Sequence, residues 1–512
     1  MKESKYYFVF FTVITISIFT RLFLLQNQSL WFDEGWSLTL SDATSLQENF
    51  YKIVNREAGD KYQVLYYLLL FYWRSFFGES EFAIRSLSAL FGVASVIIMY
   101  FTCLSVYGKK HAFWSSLILA VSSFSVFYSQ DARPYSLLIF IVSLQIYFFS
   151  NSLKDDENNK IISQVFFGIF TAIASFGSVL TLMFTSALYI SHAIVYRNFK
   201  EWLKWLIPSV IFSSPMIWFY LSSPAASDPT GTAVTRTGLP IILNIMFVVY
   251  GILVGTSYGP PLEDLRGDNK INILLNYWPH FLIFFIVITV IFIALGKRLL
   301  RHSKRNKYQR ADYLFALILI TSFSLNLVFA LVTKINWLPR HSFYLCVPFF
   351  ILIPSAFLHN YQAISKVDIL SKFAKIATVC LVIMNIYSNF NYYLDPIYGK
   401  DDYRSAVQYL VKNRDASARS VLMLGQNRLF KYYGDSSTLY LPPYILEKTN
   451  GKNLAEKIKT ATNNAKTVFM LINREFYWKF KDTFKGEMSE LYNLENEQSW
   501  RYIKMYKFVS NK

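Results

Sequence analysis

The segment Trp31-Phe32-Asp33-Glu34-Gly35-Trp36 sets two adjacent carboxylates among aromatic residues, a few positions after the first long apolar run of the chain. A helix in lipid has no need of acids there, and these two do not belong to a solvated charge run. A carboxylate ionised at neutral pH can take a proton from a hydroxyl as a transfer proceeds. Asp33 and Glu34 are therefore catalytic candidates; the competing explanation is an acid pair that only caps a short helix.

A second cluster is Tyr128-Ser129-Gln130-Asp131-Ala132-Arg133-Pro134-Tyr135, in a tight turn between two apolar runs. Proline is well placed in a first helical turn. Arg133 therefore stands beside free helix N–H groups, where a phosphate could be held. An Asp131–Arg133 pair that merely fixes the turn is the alternative. A third set, Lys334, Arg340 and His341, occupies the turn Thr333–Ser342. Arg85 and Arg21 lie at the ends of apolar runs, where they could bind substrate or simply reach toward headgroups. Tyr135 and Lys61 complete the substrate-binding candidates.

The elements that must position these groups are membrane helices. Of 512 residues, 54% are hydrophobic and only 16% charged, and apolar runs of about 15–25 residues recur between short polar turns. The first run reads as a retained helix, since no small-residue cleavage site follows it. The net charge of +18 does not point to nucleic acid, because it is concentrated in short loops such as Lys297–Arg310, with seven Lys or Arg. That is the positive-inside pattern of cytoplasmic loops. Cys103, Cys346 and Cys380 lie in apolar runs without ligand-spaced neighbours, so neither a disulfide frame nor a metal site is expected.

Fixing the basic loops inside gives eleven spans: 6–25, 82–106, 112–127, 135–150, 161–176, 179–196, 203–221, 279–296, 312–332, 343–358 and 373–390. The N-terminus is then inside. The apolar stretch 240–256 would break the charge rule if it crossed, so it is expected to lie on or dip into the outer face. Residues 26–81 and 222–278 form long outer loops, and 391–512 an outer tail. In that tail apolar runs shrink to strand length, as in Val421–Leu424 and Val468–Ile472, between helical patterns at Asp401–Asn413 and Leu454–Ala461. This predicts a small extracytoplasmic α/β domain after a transmembrane module of residues 1–390.

The candidates converge on one face of the membrane. Carboxylates and guanidiniums together suit a hydroxyl acceptor and a lipid phosphate: a base for the hydroxyl, cations for charge developing on a leaving phosphate.

The chain also resembles the GT-C class of polytopic glycosyltransferases, specifically the bacterial members related to protein O-mannosyltransferases and lipid A aminoarabinose transferases. The resembling text runs from Arg21 through Ser29-Leu30-Trp31-Phe32-Asp33-Glu34, then Leu65–Leu70, Phe77–Arg85, Ser88–Gly92 and Tyr128–Tyr135. It is dense over about 20–150 and weaker to 390, where Arg340 and Pro348 resemble an arginine-led span. Asp401–Val407 looks like the opening of the family's outer domain. The resemblance implies a multi-pass protein of the cell inner (plasma) membrane that transfers a sugar, with inversion, from a polyprenyl-phosphate donor to a lipid, glycan or protein hydroxyl. It implies Asp33 as the catalytic acidic residue of the first outer loop, acting as base, and no cofactor. Where many relatives carry His-Pro-Pro, this chain has Tyr62-Gln63-Val64, leaving Asp60, Lys61 or Tyr62 to stand in. Two other functions fit the architecture: a polymerase or ligase using pyrophosphate-linked donors, and a transporter of lipid-linked sugars. The transporter is disfavoured by the absence of an internal repeat and by charges at span ends, not at mid-membrane.

Overall fold

The computed structural model describes residues 2–56, 58–154, 157–197, 199–223, 241–261, 264–266, 270–300, 307–333, 337–358, 369–441, 453–475, 478 and 480–511. The helices are α1 (Lys2–Leu22), α2 (Phe32–Leu40), α3 (Leu46–Val54), α4 (Val64–Phe77), α5 (Glu81–Val106), α6 (Lys109–Val121), α7 (Ser123–Ser129) and α8 (Tyr135–Ser152). They continue with α9 (Glu157–Gly177), α10 (Leu180–Tyr196), α11 (Phe199–Ser222), α12 (Ile241–Val254), α13 (Lys270–Asn276), α14 (Trp278–Leu300), α15 (Lys307–Thr333), α16 (Cys346–Leu352) and α17 (Ile369–Leu394). Local chemistry sets their starts: Ser45 and Ser80 accept bonds from the backbone N–H groups of Glu48 and Ala83, capping α3 and α5. Six described helices are long and apolar enough to cross a membrane, or seven if α6 and α7 form one bent span.

Two of the expected spans are not continuous helices. The run 112–127 breaks at Ser122, and α6 and α7 meet at 56°. A break in lipid leaves carbonyls without partners. The fully buried Arg21 donates to the carbonyls of Leu119 and Ala120, and Asn389 to that of Val121. Asn385 accepts from the Ser123 N–H at 2.8 Å. Gly92 makes room for this arrangement, since a Cβ there would stand 2.6 Å from Arg21 Nε. The run 343–358 is divided among a 3-10 turn (Pro339–Leu345), α16 and a second 3-10 turn (Ile353–Ala356). Its residues from Ser342 to Ala356 are buried inside the bundle. The second half of α12 is likewise buried, not laid on a surface, and Asn385 donates to the Leu253 carbonyl at 2.8 Å.

The loop 26–81 is built from α2, α3, a 3-10 turn (Gly59–Tyr62) and α4. The tail holds α18 (Tyr403–Asn413), α19 (Asn427–Tyr432) and a five-stranded sheet in the order β2-β1-β3-β5-β4. Its strands are β1 (Arg419–Leu424), β2 (Leu439–Tyr440), β3 (Thr467–Asn473), β4 (Tyr492–Trp500) and β5 (Ile503–Ser510). β2, β1 and β3 are parallel, while β5 is antiparallel to both β3 and β4. The expected strands and helices of the tail are present, and β2, β4 and β5 are additional.

The sheet unit shares a core with the first loop. Leu30, Leu38, Ile53 and Tyr67 pack in one cluster with Tyr403, Leu429, Phe430 and Leu471, all fully buried. Each such side chain contributes about 1.5–3 kcal/mol of burial, so the tail is docked on the loop, not merely tethered. At Gly35 the approach is close: a Cβ would lie 2.2 Å from Gln426 Cγ.

Candidate active site

Asp33 and Glu34, adjacent on the first turn of α2, have different surroundings. The Asp33 carboxylate is 22% exposed and accepts from Arg340 Nη1 at 3.0 Å. Glu34 is fully buried and gripped bidentately by Arg85, with Nε at 2.8 Å and Nη2 at 2.7 Å. The Ala132 N–H donates to Glu34 Oε1 at 2.9 Å, and the Trp31 N–H to Oε2 at 3.3 Å. Burial alone would raise the Glu34 carboxyl, but the Arg85 guanidinium and the Lys400 ammonium hold it down at about 2. The remaining Arg85 hydrogens go to the carbonyls of Leu25, Gln28 and Ser29. Arg85 is thus fully engaged in tying the loop to α5 and faces no open site.

The second turn meets this loop through Arg133. Arg133 Nη1 donates to the Asp33 carbonyl at 3.2 Å, and Nη2 to Asp60 Oδ1 at 2.6 Å. Tyr67 also donates to Asp60, at 2.8 Å. Burial would raise the Asp60 carboxyl, yet Arg133, the Tyr67 hydroxyl and Arg56 lower it overall. Asp131 does not pair with Arg133; it accepts from Trp31 Nε1 at 2.7 Å and from Lys400 Nζ at 3.2 Å. Tyr135 packs on Tyr128, ring centroids 4.7 Å apart, within electrostatic reach of Arg340, Arg133 and Asp33. Arg133 Nε and Arg340 Nε are buried without a partner among the described residues. Orphaned guanidinium donors of this kind are suited to an incoming anion.

Asp33, Arg133, Tyr135 and Arg340 are thereby brought together, with Glu34, Arg85 and Asp131 beneath them. Lys61 is elsewhere, donating to Ser223 Oγ at 3.0 Å beyond α11. His341 bonds within its own turn: its Nδ1 accepts from the Leu338 N–H at 3.3 Å, and its carbonyl accepts from Asn326. Lys334 lies outside the described residues. Among the described residues no group of three His, Cys, Asp or Glu is placed to hold a metal.

Two residues of the tail reach the site unforeseen. Lys400 puts its ammonium between Glu34, Asp131 and the Gln130 carbonyl. Arg474 stacks over the Trp31 ring, 5.3 Å from its centroid, while paired with Asp401 at 3.0 Å. The available signal was a cation directly after the last span, on the expected outer side where basic residues are scarce.

The fold is that of the GT-C class of membrane glycosyltransferases. ArnT from Cupriavidus metallidurans, bound to undecaprenyl phosphate, matches with a TM-score of 0.55 at 10% identity, over 97% of each chain. The archaeal oligosaccharyltransferase AglB from Archaeoglobus fulgidus, in complex with an inhibitory peptide and a dolichol-phosphate, gives 0.51 at 11% identity over 99% of this chain and 74% of that one. At these identities the likeness is one of fold. Within it, residues 64–218 match the family described as dolichyl-phosphate-mannose-protein mannosyltransferase. That stretch runs from α4 into α11 and carries Arg85, Asp131, Arg133 and Tyr135. No curated protein matches the chain by sequence. With its apolar helices and this fold, the chain is a multi-pass membrane protein.

Proposed function

We propose that this protein is an integral-membrane glycosyltransferase that moves a sugar from a polyprenyl-phosphate donor to a hydroxyl acceptor on lipid, glycan or protein. It works at the outer face of the inner (plasma) membrane, with eleven crossings, the N-terminus inside and residues 391–512 outside. The observation that carries the reading is the partly exposed Asp33 carboxylate held by Arg340, with Arg133 donating to the Asp33 backbone carbonyl.

In the resting site Arg340 neutralises Asp33. A donor phosphate competes for Arg340 and engages the orphaned Nε atoms of Arg340 and Arg133, with Tyr135 alongside. Asp33 is then freed to accept the acceptor's hydroxyl proton. The acceptor oxygen bonds to the anomeric carbon on the face opposite the phosphate, the carbon–phosphate-oxygen bond breaks, and the anomeric configuration inverts. The lipid phosphate leaves with the electron pair, its added charge met by the guanidiniums, so no proton donor is needed. Glu34 and Arg85 hold the loop in register and take no part in the transfer. Lys61 and Tyr62 bond to Ser223 beside Phe219 and Tyr220, an aromatic corner suited to the acceptor side.

The test is a donor panel with purified protein. Transfer or hydrolysis of a polyprenyl-monophosphate sugar supports the reading. Turnover confined to pyrophosphate-linked donors would replace it with a polymerase or ligase.

A further inference from the structure

Asp131 is a fully buried carboxylate without its own guanidinium. Arg85 is spent on Glu34, and Arg133 on Asp60. Asp131 Oδ2 has no hydrogen-bond partner among the described residues, and Oδ1 accepts only from Trp31 Nε1 and Lys400. Lys400 is itself buried, 3.4 Å from Glu34 Oε1, with Trp31 and Phe127 rings about its ammonium. Four charges, Glu34, Asp131, Arg85 and Lys400, therefore balance while buried, and removing one cation strands a carboxylate.

We infer that Lys400 is a positioning residue of the site: its ammonium neutralises Asp131 beside Glu34, and Asp131 in turn fixes Trp31 and the turn that presents Asp33. The residue comes from the segment joining α17 to the sheet unit, and the next residue, Asp401, accepts from the Phe32 N–H and pairs with Arg474 over Trp31. The tail thus completes the catalytic turn as well as covering it. The Lys400 ammonium bonds to Glu34, Asp131 and the Gln130 carbonyl, so its effect on Asp33 passes through Asp131 and Trp31.

The groups facing Asp131 are Lys400, Glu34, Arg133, Trp31 and the hydroxyls of Tyr66, Tyr128 and Tyr392. Burial and Glu34 raise its carboxyl and Lys400 opposes them. Without the ammonium, Asp131 takes up a proton at higher pH.

A stability cycle tests the pairing without reference to catalysis. Lys400→Met should lower the melting temperature, and adding Asp131→Asn should restore most of the loss. Additive losses, or a double variant that still does not fold, would overturn the inference. The kinetic arm rests on the transferase reading. There Lys400→Met should lower kcat by about 10–100-fold with KM nearly unchanged, and shift the acid limb of the pH–rate profile upward. A rate loss with an unmoved limb would reduce Lys400 to a packing residue. Should the wild type turn over no lipid-linked sugar at all, the transferase reading fails, while the stability cycle still decides the Lys400–Asp131 pair.

Discussion

Arg340 reaches Asp33 across 307 positions of sequence, closing Nη1 on Oδ2 at 3.0 Å. The bond joins the turn after α15 to the first turn of α2, and both side chains keep partial exposure. An ion pair in that setting contributes little to stability. In the proposed transfer its value is chemical, since a phosphate that takes the arginine would release the base. Arg340→Ala should therefore leave folding almost unchanged and weaken donor binding strongly, seen as a rise in KM or loss of polyprenyl-phosphate affinity in a direct binding assay.

The Glu34–Arg85 pair should behave in the opposite way. With both side chains essentially unexposed and every bond satisfied, removal of one partner leaves a stranded charge at a cost of about 3–5 kcal/mol. Arg85→Met should lower the melting temperature in detergent far more than Arg340→Ala does, at equal expression.

Asp131 and Glu34 give opposite pH dependence. Asp131, pushed up from an ordinary 3.8 to about 6 mainly by burial, favours the protonated form when folded. Its contribution is best below 3.8 and is lost as pH rises through about 6. Glu34, held down near 2 from 4.5, contributes above 4.5 and loses that contribution as pH falls toward 2. Asp131→Asn should thus gain stability relative to the wild type between pH 4 and pH 7, measured as the difference in melting temperature at the two values.

Gly35→Leu should loosen the docked tail. Even a Cβ at this position meets Gln426 Cγ at 2.2 Å and Leu429 Cγ at 3.0 Å, and overpacking of this kind costs about 1–3 kcal/mol. Faster proteolysis of the sheet unit, with the membrane helices intact, is the expected readout.

The sequence carries the site unevenly. Asp33, Arg133 and Arg340 are legible because each is a charge in an unexpected turn at the end of an apolar run, and topology alone puts the three on one face. Glu34 and Arg85 look equally exposed on paper; only packing shows that they consume each other. Asp131–Arg133 reads as a local pair, yet Arg133 turns to Asp60 and Asp131 to Lys400, partners distant in sequence. The break at Ser122 is hidden because serine is tolerated in apolar helices, and the carbonyls it frees are met by Arg21, Asn385 and Asn389 from other segments. The run 343–358 has the composition of a span, but Pro348 and Pro354 lie within it, and it passes from a 3-10 turn through the short α16 into a second 3-10 turn at Pro354. Strand β4 escapes notice because it is an edge strand with mostly exposed polar residues, Asn493 to Gln498, which carry no apolar alternation.

The proposed transfer depends on Asp33 as the base. Asp33→Asn removes the charge and keeps the size, and the partly exposed site should tolerate it without loss of fold. With a polyprenyl-phosphate sugar that the wild type uses, the variant is predicted to bind donor and melt like the wild type while sugar transfer falls by about 100-fold or more. Full transfer by a correctly folded Asp33→Asn protein would rule out Asp33 as the base.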